Sequence, residues 1–294
     1  VKYPCLKSKT VFITGGATGI GASLVSEFAN QGANVGFVDI SDKPSMALVE
    51  QLGPNVNFQN CDILDIPELR KSIRTFEGLW NSPIDILVNN AGRDTRHSFS
   101  ALEPEDWDEA INVNLRHQFF AAQAVIPGMI KNGGGSIINL GSTVVAMAAG
   151  NMAAYVTAKA GVQGMTRALA RDVGMHRIRV NCILPGWVMT QRQMDNWYDE
   201  ISAAKVADCQ CLPDQLTPED IASMTLFLAS EGSRSCTAQS FVVDGGWDLT
   251  GKLYCRSQQP VQTSFDSIPI SQNMTILLQS NRPDARSFEM RALS

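Results

Sequence analysis

The sequence predicts an α/β fold in which helices cover both faces of a doubly wound parallel sheet of about seven strands. Two observations support this prediction. Short apolar runs rich in Val, Ile and Phe alternate along the chain with longer segments of helical period. Runs with few charges are typical of strands buried on both faces of a parallel sheet. Their regular alternation with helices indicates right-handed crossovers between neighbouring strands.

The predicted elements follow one another without a long gap up to about residue 250. The predicted strands are 10–14, 34–39, 56–60, 84–89, 136–140, 179–184 and 240–243. The predicted helices are 19–31, 66–80, 104–131, 152–175 and 218–229. Glycine after the first helix is a stop signal, and Thr217-Pro218 before the last is a start signal.

We expect one catalytic domain over residues 1–250, followed by a C-terminal extension over 251–294. No repeat or linker interrupts the first part, whereas the extension is rich in Ser, Gln, Arg and Pro. A partly disordered tail, the start of a second domain and a gene-boundary artefact are all compatible with that composition.

Composition and charge exclude several function classes. The chain has 294 residues, 24 basic and 29 acidic, for a net charge of −5, and no basic block predicts nucleic-acid binding. No apolar run approaches the roughly 18 residues of a membrane span. An odd count of seven cysteines indicates reduced thiols in a cytoplasmic protein. Three histidines scattered along the chain predict no metal site.

A glycine cluster lies between the first strand and the first helix. Gly15, Gly16, Gly19 and Gly21 follow Thr14. Glycines let the backbone approach a pyrophosphate closely, and the helix N-terminus offers free N–H groups and a positive dipole end. Glycines also serve ordinary turns, but this context predicts a dinucleotide site.

The second predicted strand ends in Asp39, 18 residues after Gly21. A dinucleotide site of this type places an acid about 20 residues after its glycines, where it binds the adenosine ribose hydroxyls. Residues 15–21 and 40–42 contain no Lys or Arg that would hold a 2′-phosphate. NAD is therefore favoured over NADP, although Asp39 capping the next turn is the alternative. Asp62, after the third strand, is placed to bind the adenine amino group.

Polar residues with catalytic potential cluster at the predicted carboxyl edge of the sheet. Tyr155 and Lys159 are four residues apart and share a helix face. Ser142 follows the fifth strand, at the edge where ligands bind in such folds. Asn114 stands inside a predicted helix, which disfavours Asn. Taken singly, these residues are also explained by a surface pair or a turn.

Together the motifs resemble the short-chain dehydrogenase/reductase family, over about residues 5–250. The resemblance rests on TGGATGIG at 14–21, NNAG at 89–92, Asn114, Ser142, YVTAK at 155–159 and Pro185-Gly186. It implies a Rossmann-type fold and oxidation or reduction by a nicotinamide cofactor without a metal.

The resemblance also implies the roles of the site residues. Tyr155 would be the general base, Lys159 would lower its pKa and Ser142 would orient the substrate oxygen. Asn114 would hold a water in a proton relay. The implied cofactor-binding residues are Gly15, Thr18, Gly19, Ile20, Asp39, Asp62, Ile63, Asn90, Ala91, Gly92, Tyr155, Lys159, Pro185, Gly186, Val188 and Thr190.

Members of this family are usually homotetramers, so the resemblance implies pairing of the helices at 104–131 and 152–175 across subunits. The residues expected to favour that packing are Phe119, Phe120, Ala121, Ala122, Val125, Ala160, Val162 and Leu169. Burial of the same faces against the sheet is the alternative.

A closer resemblance concerns the substrate. RDTRH at 93–97, VNLRHQFFAAQ at 113–123, QCLP at 210–213 and FVVDGGW at 241–247 are similar to the aldose 1-dehydrogenases of this family. This implies a pentose or hexose as the small-molecule substrate, oxidised at C1 with NAD⁺. Ser142, Tyr155, Asp94, Arg96, Asn151 and Trp187 are the candidate substrate-binding residues.

The loops after Gly92 and Pro185 contain polar groups and aromatic side chains, among them Arg192 and Trp197. This combination suits a polyhydroxylated ligand. Two alternatives stay open. One is a 3-oxoacyl or secondary-alcohol reductase of the same fold, and the other is a non-catalytic binding protein.

Overall fold

Seven strands form one parallel sheet in the computed structural model of the protein, which describes residues 1–147 and 149–247. The strands are β1 (Thr10–Thr14), β2 (Asn34–Asp39), β3 (Val56–Asn60), β4 (Ile86–Asn89), β5 (Gly135–Leu140), β6 (Ile178–Pro185) and β7 (Ser240–Val243). Their order in the sheet is β3-β2-β1-β4-β5-β6-β7. This arrangement confirms the predicted fold class.

Helices cover both faces of the sheet. They are α1 (Gly19–Asn30), α2 (Asp42–Leu52), α3 (Ile66–Trp80), α4 (Pro104–Ile111), α5 (His117–Lys131), α6 (Val144–Met147), α7 (Ala153–Val173), α8 (Gln191–Asn196), α9 (Glu200–Cys209) and α10 (Pro218–Ala229). Helices α1 and α10 pack on one face, and α3, α5 and α7 pack on the other.

Two apolar clusters hold these layers together, one on each face. Phe28 of α1 and Leu226 of α10 are buried in the cluster on the first face. Phe76 of α3 and Met129 of α5 are buried on the second. Each such side chain contributes about 1.5–3 kcal/mol by leaving water, so the sheet is held rigidly beneath the loops at its edge.

The sheet order fixes where those loops meet. The chain runs from β1 outward to β3 on one side, then returns to β4 on the other side of β1. Thr14 and Asn89, the last residues of β1 and β4, are paired in register. Their carboxyl ends therefore open a crevice between the two halves of the sheet, which is where ligands bind in this architecture.

The predicted helix over 104–131 is interrupted in the structure. A π-helical segment, Asn112–Arg116, separates α4 from α5. The side chain of Gln118 donates to the Asn114 carbonyl oxygen (3.0 Å), and Asn114 itself is buried. A periodicity argument cannot detect this widened turn, because the apolar pattern continues through it.

Other differences from the predicted elements are small or lie in polar segments. The strand predicted from residue 84 begins at Ile86, and the helices predicted over 19–31 and 152–175 are shorter, as α1 and α7. Four helices were not predicted, namely α2, α6, α8 and α9. In α2 only Ser45 is fully buried, so its sequence carries a weak apolar stripe.

The predicted C-terminal extension, 251–294, lies outside the described residues, and the domain boundary at 250 stays a prediction. Within the described part of the chain, no helix combines the length and apolar character needed to cross a bilayer.

Candidate active site

A cleft of about 810 Å³ lies at the carboxyl edge of the sheet. The turn after β1, the loops after β4, β5 and β6, and the start of α7 line it. Segments separated by up to about two hundred residues in the sequence therefore meet in one place, as expected for parallel strands that end at the same edge.

The glycine cluster forms a close-fitting turn at one end of the cleft. Gly15 has φ +69°, and a Cβ there would lie 2.9 Å from the Ala91 Cα. A Cβ at Gly21 would overlap the Gly15 carbonyl oxygen. Asn90 supports the turn by donating from its side-chain amide to the carbonyl oxygens of Thr14 (3.1 Å) and Gly15 (2.8 Å).

A pyrophosphate fits this turn. Thr18 precedes α1 and makes no side-chain cap, so the first-turn N–H groups of α1 are left to other acceptors. A helix N-terminus of this kind binds anions through its N–H groups and its dipole. Thr18, Gly19 and Ile20 all line the cleft.

Asp39 ends β2 and lines the same end of the cleft. Its Oδ2 accepts the Ala17 N–H (3.0 Å), and its Oδ1 accepts the Ser41 N–H (3.0 Å). These bonds fix the orientation of the carboxylate at this end of the cleft. Asp62 and Ile63 do not line the described cleft, and Asp62 instead accepts the Leu64 N–H (2.9 Å).

Ser142, Tyr155 and Lys159 come together in the middle of the cleft. Ser142 follows β5, and its hydroxyl accepts the Val144 N–H (3.3 Å). Lys159, only 3% exposed, lies one helical turn after Tyr155, with its Nζ 5.7 Å from the Tyr155 ring centroid. This Nζ donates to the Leu140 carbonyl oxygen (2.8 Å), which ties α7 to the end of β5.

The electrostatics of this group are dominated by burial. Burial raises the pKa of Tyr155 to about 12, and the Asp94 carboxylate adds to the increase by repelling the phenolate. The Ser142 hydrogen bond and the Arg192 cation lower the pKa of this phenol. Burial also lowers the pKa of Lys159 to about 8. The predicted lowering of the Tyr155 pKa by Lys159 stays a prediction.

Asn114 lies beside the cleft, not on its lining surface. Its Oδ1 accepts the Arg93 N–H (2.9 Å), and its Nδ2 donates to the carbonyl oxygens of Arg93 (3.1 Å) and Ala110 (2.9 Å). These bonds hold the loop after β4. A Cβ at Gly92 would lie 2.8 Å from the Asn114 Oδ1 and 3.3 Å from the Lys159 Nζ, so glycine is required there. The proposed water relay stays a prediction.

The loop after β6 supplies the wall opposite the glycine turn. Pro185, Gly186, Val188 and Thr190 all line the cleft. A Cβ at Gly19 would lie 3.1 Å from the Thr190 Cγ2, so Thr190 stands directly across from the start of α1. The Thr190 hydroxyl accepts the Gln193 N–H (3.3 Å) and thereby caps α8.

Three of the substrate-binding candidates outside the catalytic group line the cleft, namely Asp94, Arg96 and Trp187. Asn151 does not line it. Asn151 is exposed, has φ +57°, and accepts the His97 N–H at its carbonyl oxygen (2.9 Å). Its contact with the His97 loop accounts for its position without a ligand.

Two residues of this region were missed from the sequence. Gln193 joins both walls of the cleft, because it accepts from the Trp187 indole N–H (2.9 Å) and donates to the Asp94 Oδ2 (3.0 Å). A lone Gln in a polar segment carries no sequence signal for such a role. His117 is buried, and its Nε2 donates to the Ala91 carbonyl oxygen (3.2 Å).

Among the described residues, no group of three or more His, Cys, Asp and Glu side chains is arranged to hold a metal ion.

The chain is similar in sequence to a family model and to proteins of known name. A family model described as "Enoyl-(Acyl carrier protein) reductase" matches residues 15–248. D-xylose 1-dehydrogenase from Caulobacter vibrioides is 45% identical over 249 residues, which cover 83% of this chain and 98% of the relative. A protein from Rhizobium meliloti named probable galactose dehydrogenase is 43% identical over 249 residues, covering 83% and 97%.

A solved structure is also similar. The crystal structure of a blue fluorescent protein from a metagenomic library, in complex with NADPH, aligns with a TM-score of 0.77 and 34% identity. The alignment covers 83% of this chain and 99% of that chain.

The buried His117 generates a prediction about acid stability. Burial, together with the nearby Lys159 cation, lowers the pKa of His117 to about 3 from the ordinary 6.5. Between these values the unfolded chain binds a proton that the folded chain does not, so stability falls as the pH falls. Relative to H117Q, the wild type should lose about 1 kcal/mol of unfolding free energy per pH unit below 6.5.

Urea unfolding of both proteins over pH 4.5–7.5 measures this difference, with H176Q, at a partly exposed histidine, as the control. Stability curves that run parallel for the wild type and H117Q would contradict the prediction.

Proposed function

The chain belongs to the short-chain dehydrogenase/reductase family, and we propose that it oxidises a cyclic aldose at C1 to the aldonolactone with NAD⁺. The observation that carries this proposal is the composition of the cleft around Tyr155. A hydroxyl, a carboxylate, guanidinium groups and indole rings converge there, from Ser142, Asp94, Arg96, Arg192, Trp187 and Trp197. Such groups bind the hydroxyls and the apolar face of a sugar ring.

The relatives support the same substrate class. The two relatives described above are named as dehydrogenases of xylose and galactose, which are cyclic aldoses. Their matches cover almost their whole length, so the substrate loops after β4 and β6 lie within the compared region. The particular sugar depends on side chains in those loops.

In the proposed mechanism, Tyr155 takes the proton of the anomeric hydroxyl. When bound, the nicotinamide dinucleotide supplies the acceptor for the hydride that leaves C1. Because burial opposes ionisation of Tyr155, the phenolate depends on the groups around it. The Ser142 hydroxyl donates a hydrogen bond, and the Lys159 ammonium contributes positive charge one helical turn away. Lys159 keeps that charge below about pH 8.

Asp39 favours NAD over NADP as the cofactor. A carboxylate held by the Ala17 and Ser41 N–H groups accepts hydrogen bonds from ribose hydroxyls and repels a 2′-phosphate. No Lys or Arg occurs at 15–21 or 40–42 to offset that repulsion. NAD is therefore the proposed cofactor.

A second candidate follows from the family model, whose description is an acyl carrier protein reductase. In that case the chain would reduce a 3-oxoacyl thioester or a simple ketone. An acyl chain needs an apolar channel, whereas Asp94 and Arg192 form an ion pair in the cleft (3.0 Å). The geometry therefore favours the sugar.

Initial rates test the reaction. Xylose, arabinose, galactose, fucose and glucose should be assayed with NAD⁺ by the formation of NADH, and the acyl alternative with acetoacetyl-CoA and NADPH. At least one aldose should be oxidised, and Y155F should lower kcat by about 10²–10⁴-fold because the proton acceptor is removed. Retained binding of NADH by Y155F shows that the fold is intact. Turnover of the thioester without turnover of any aldose would refute the proposal.

The cofactor preference is tested at Asp39. D39N removes the charged acceptor, so the KM for NAD⁺ should rise about 10–100-fold and the ratio of kcat/KM for NAD⁺ over NADP⁺ should fall. D42N is the matched control, because Asp42 undergoes the same change three residues later, is exposed and does not line the cleft. An equal effect of both variants would overturn the assignment.

We also propose a homotetramer that buries the outer faces of α4, α5 and α7. Of the residues predicted to pair across subunits, five are buried within the chain: Ala121, Ala122, Val125, Val162 and Leu169. Phe119, which was also predicted, is exposed (39%), and Trp107 of α4 (38%) and Ile130 of α5 (40%) are further exposed apolar side chains. A Cβ added at Gly164 of α7 would meet open space, so this part of the helix allows close approach of another helix.

Light scattering on the eluting protein checks this assembly. The expected mass is four times the 31.9 kDa of the chain, and F119E should reduce it. A monomer at working concentrations would contradict the proposal.

A further inference from the structure

Two walls of the cleft that are far apart in the sequence are joined at Asp94. This residue lies in the loop after β4, and its partners lie on α8, about one hundred residues later. The Asp94 Oδ1 is 3.0 Å from the Arg192 Nη2, and the Asp94 Oδ2 accepts the Gln193 Nε2 donor (3.0 Å). Both carboxylate oxygens are therefore used to hold α8.

The contact extends beyond this pair. Gln193 also accepts the Trp187 indole N–H (2.9 Å), so the position of the Trp187 ring depends on the same amide group. In parallel, the Arg96 guanidinium stacks 3.8 Å above the centroid of the Trp197 ring, just after α8. All of these side chains line the same cleft as Tyr155.

The helix that is held in this way is short. Helix α8 has six residues, Gln191–Asn196, and none of them is buried. A helix of this length is not stable on its own, and it lacks a buried face that would pack it against the core. Its position over the cleft therefore depends on contacts with neighbouring segments, and the loop after β4 supplies two of them.

We propose that Asp94 is a positioning residue that holds α8 across the substrate end of the cleft through Arg192 and Gln193, and so shapes the site for an uncharged polyol. The partial exposure of the Asp94 side chain, 18% against 49% for that of Arg192, leaves the pair accessible from the cleft. Because the two charges compensate each other, neither is free to attract an ionic substrate. The activity readout of this proposal rests on the proposed function.

The Asp94 and Arg192 charges also affect the pKa of Tyr155. The charged groups that act on this phenol from other elements are Asp94 and Arg192, and Lys159 faces it from α7 itself. Asp94 raises the pKa of Tyr155, whereas Arg192 lowers it. Removing the two charges should therefore move the pH dependence of catalysis in opposite directions, which loss of a purely structural contact would not do.

The variants D94N, R192Q and D94N/R192Q test this inference, with D195N as the matched control. Asp195 lies on α8 itself, does not line the cleft and is hydrogen-bonded to Gln191 (2.7 Å). Amide hydrogen exchange over residues 190–197 reports the position of α8 without any need for activity. D94N and R192Q should each speed this exchange about tenfold or more, and D195N should not.

Activity supplies the second readout. With the aldose that the wild type oxidises, D94N and R192Q should raise KM about tenfold or more. The pH at which kcat is half-maximal should move down in D94N, up in R192Q, and little in the double variant. D94N should also gain activity toward uronates relative to neutral aldoses, because the Arg192 charge is no longer compensated.

The outcomes separate the two proposals. Unchanged exchange in both D94N and R192Q, or pH shifts of the same sign, would overturn the role of Asp94. If the wild type oxidises no aldose, the proposed function fails, and hydrogen exchange still decides whether Asp94 holds α8.

Discussion

The Lys159 ammonium is buried almost completely, and the rest of the site is organised around the cost of keeping it there. A buried cation is tolerated only where hydrogen bonds and nearby polar groups offset its desolvation. The Leu140 carbonyl oxygen, at the end of β5, accepts a hydrogen bond from Nζ at 2.8 Å. Gly92 provides the space, since a Cβ there would crowd both Nζ and the Asn114 side chain.

Neighbouring groups are constrained by this cation. His117 is buried nearby and stays neutral, in part because a second positive charge beside Lys159 is unfavourable. Tyr155 lies one helical turn away, with its ring centroid 5.7 Å from the Lys159 Nζ, and burial disfavours its phenolate. The site thus combines a phenol whose ionisation is opposed by burial with a hydroxyl and a cation, Ser142 and Arg192, that lower its pKa.

The charged side chains around Asp94 differ from Lys159 in their exposure and pairing. Charges there lie near the surface and are paired across two loops, as in Asp94 and Arg192. Such pairs are weaker and more readily opened than buried ones, which suits a wall that must admit and release a ligand. The sheet edge therefore positions Ser142, Tyr155 and Lys159, and the Asp94–Arg192 pair lines the cleft above them.

The sequence alone predicted most of the framework. Four strands, at 10–14, 34–39, 56–60 and 240–243, have the predicted ends, because apolar runs bounded by turn residues depend on local composition. The glycine turn, Asp39 and the Ser142, Tyr155 and Lys159 group were also located, since each follows a strand or shares a helix face at a fixed spacing. The helices α2 and α8 were missed because they bury at most one residue each, so their sequences carry little apolar periodicity.

Only the tertiary structure decided how the loop side chains are used. It engages Asn114 with the backbone of the loop after β4, leaves Asn151 and Asp62 outside the cleft lining, and joins Asp94 to Gln193 across the cleft. Periodicity and spacing determine which element a residue belongs to, because those are properties of neighbouring residues. The packing of segments about a hundred residues apart determines which partner a loop side chain contacts. No local pattern in the sequence encodes a contact between such segments.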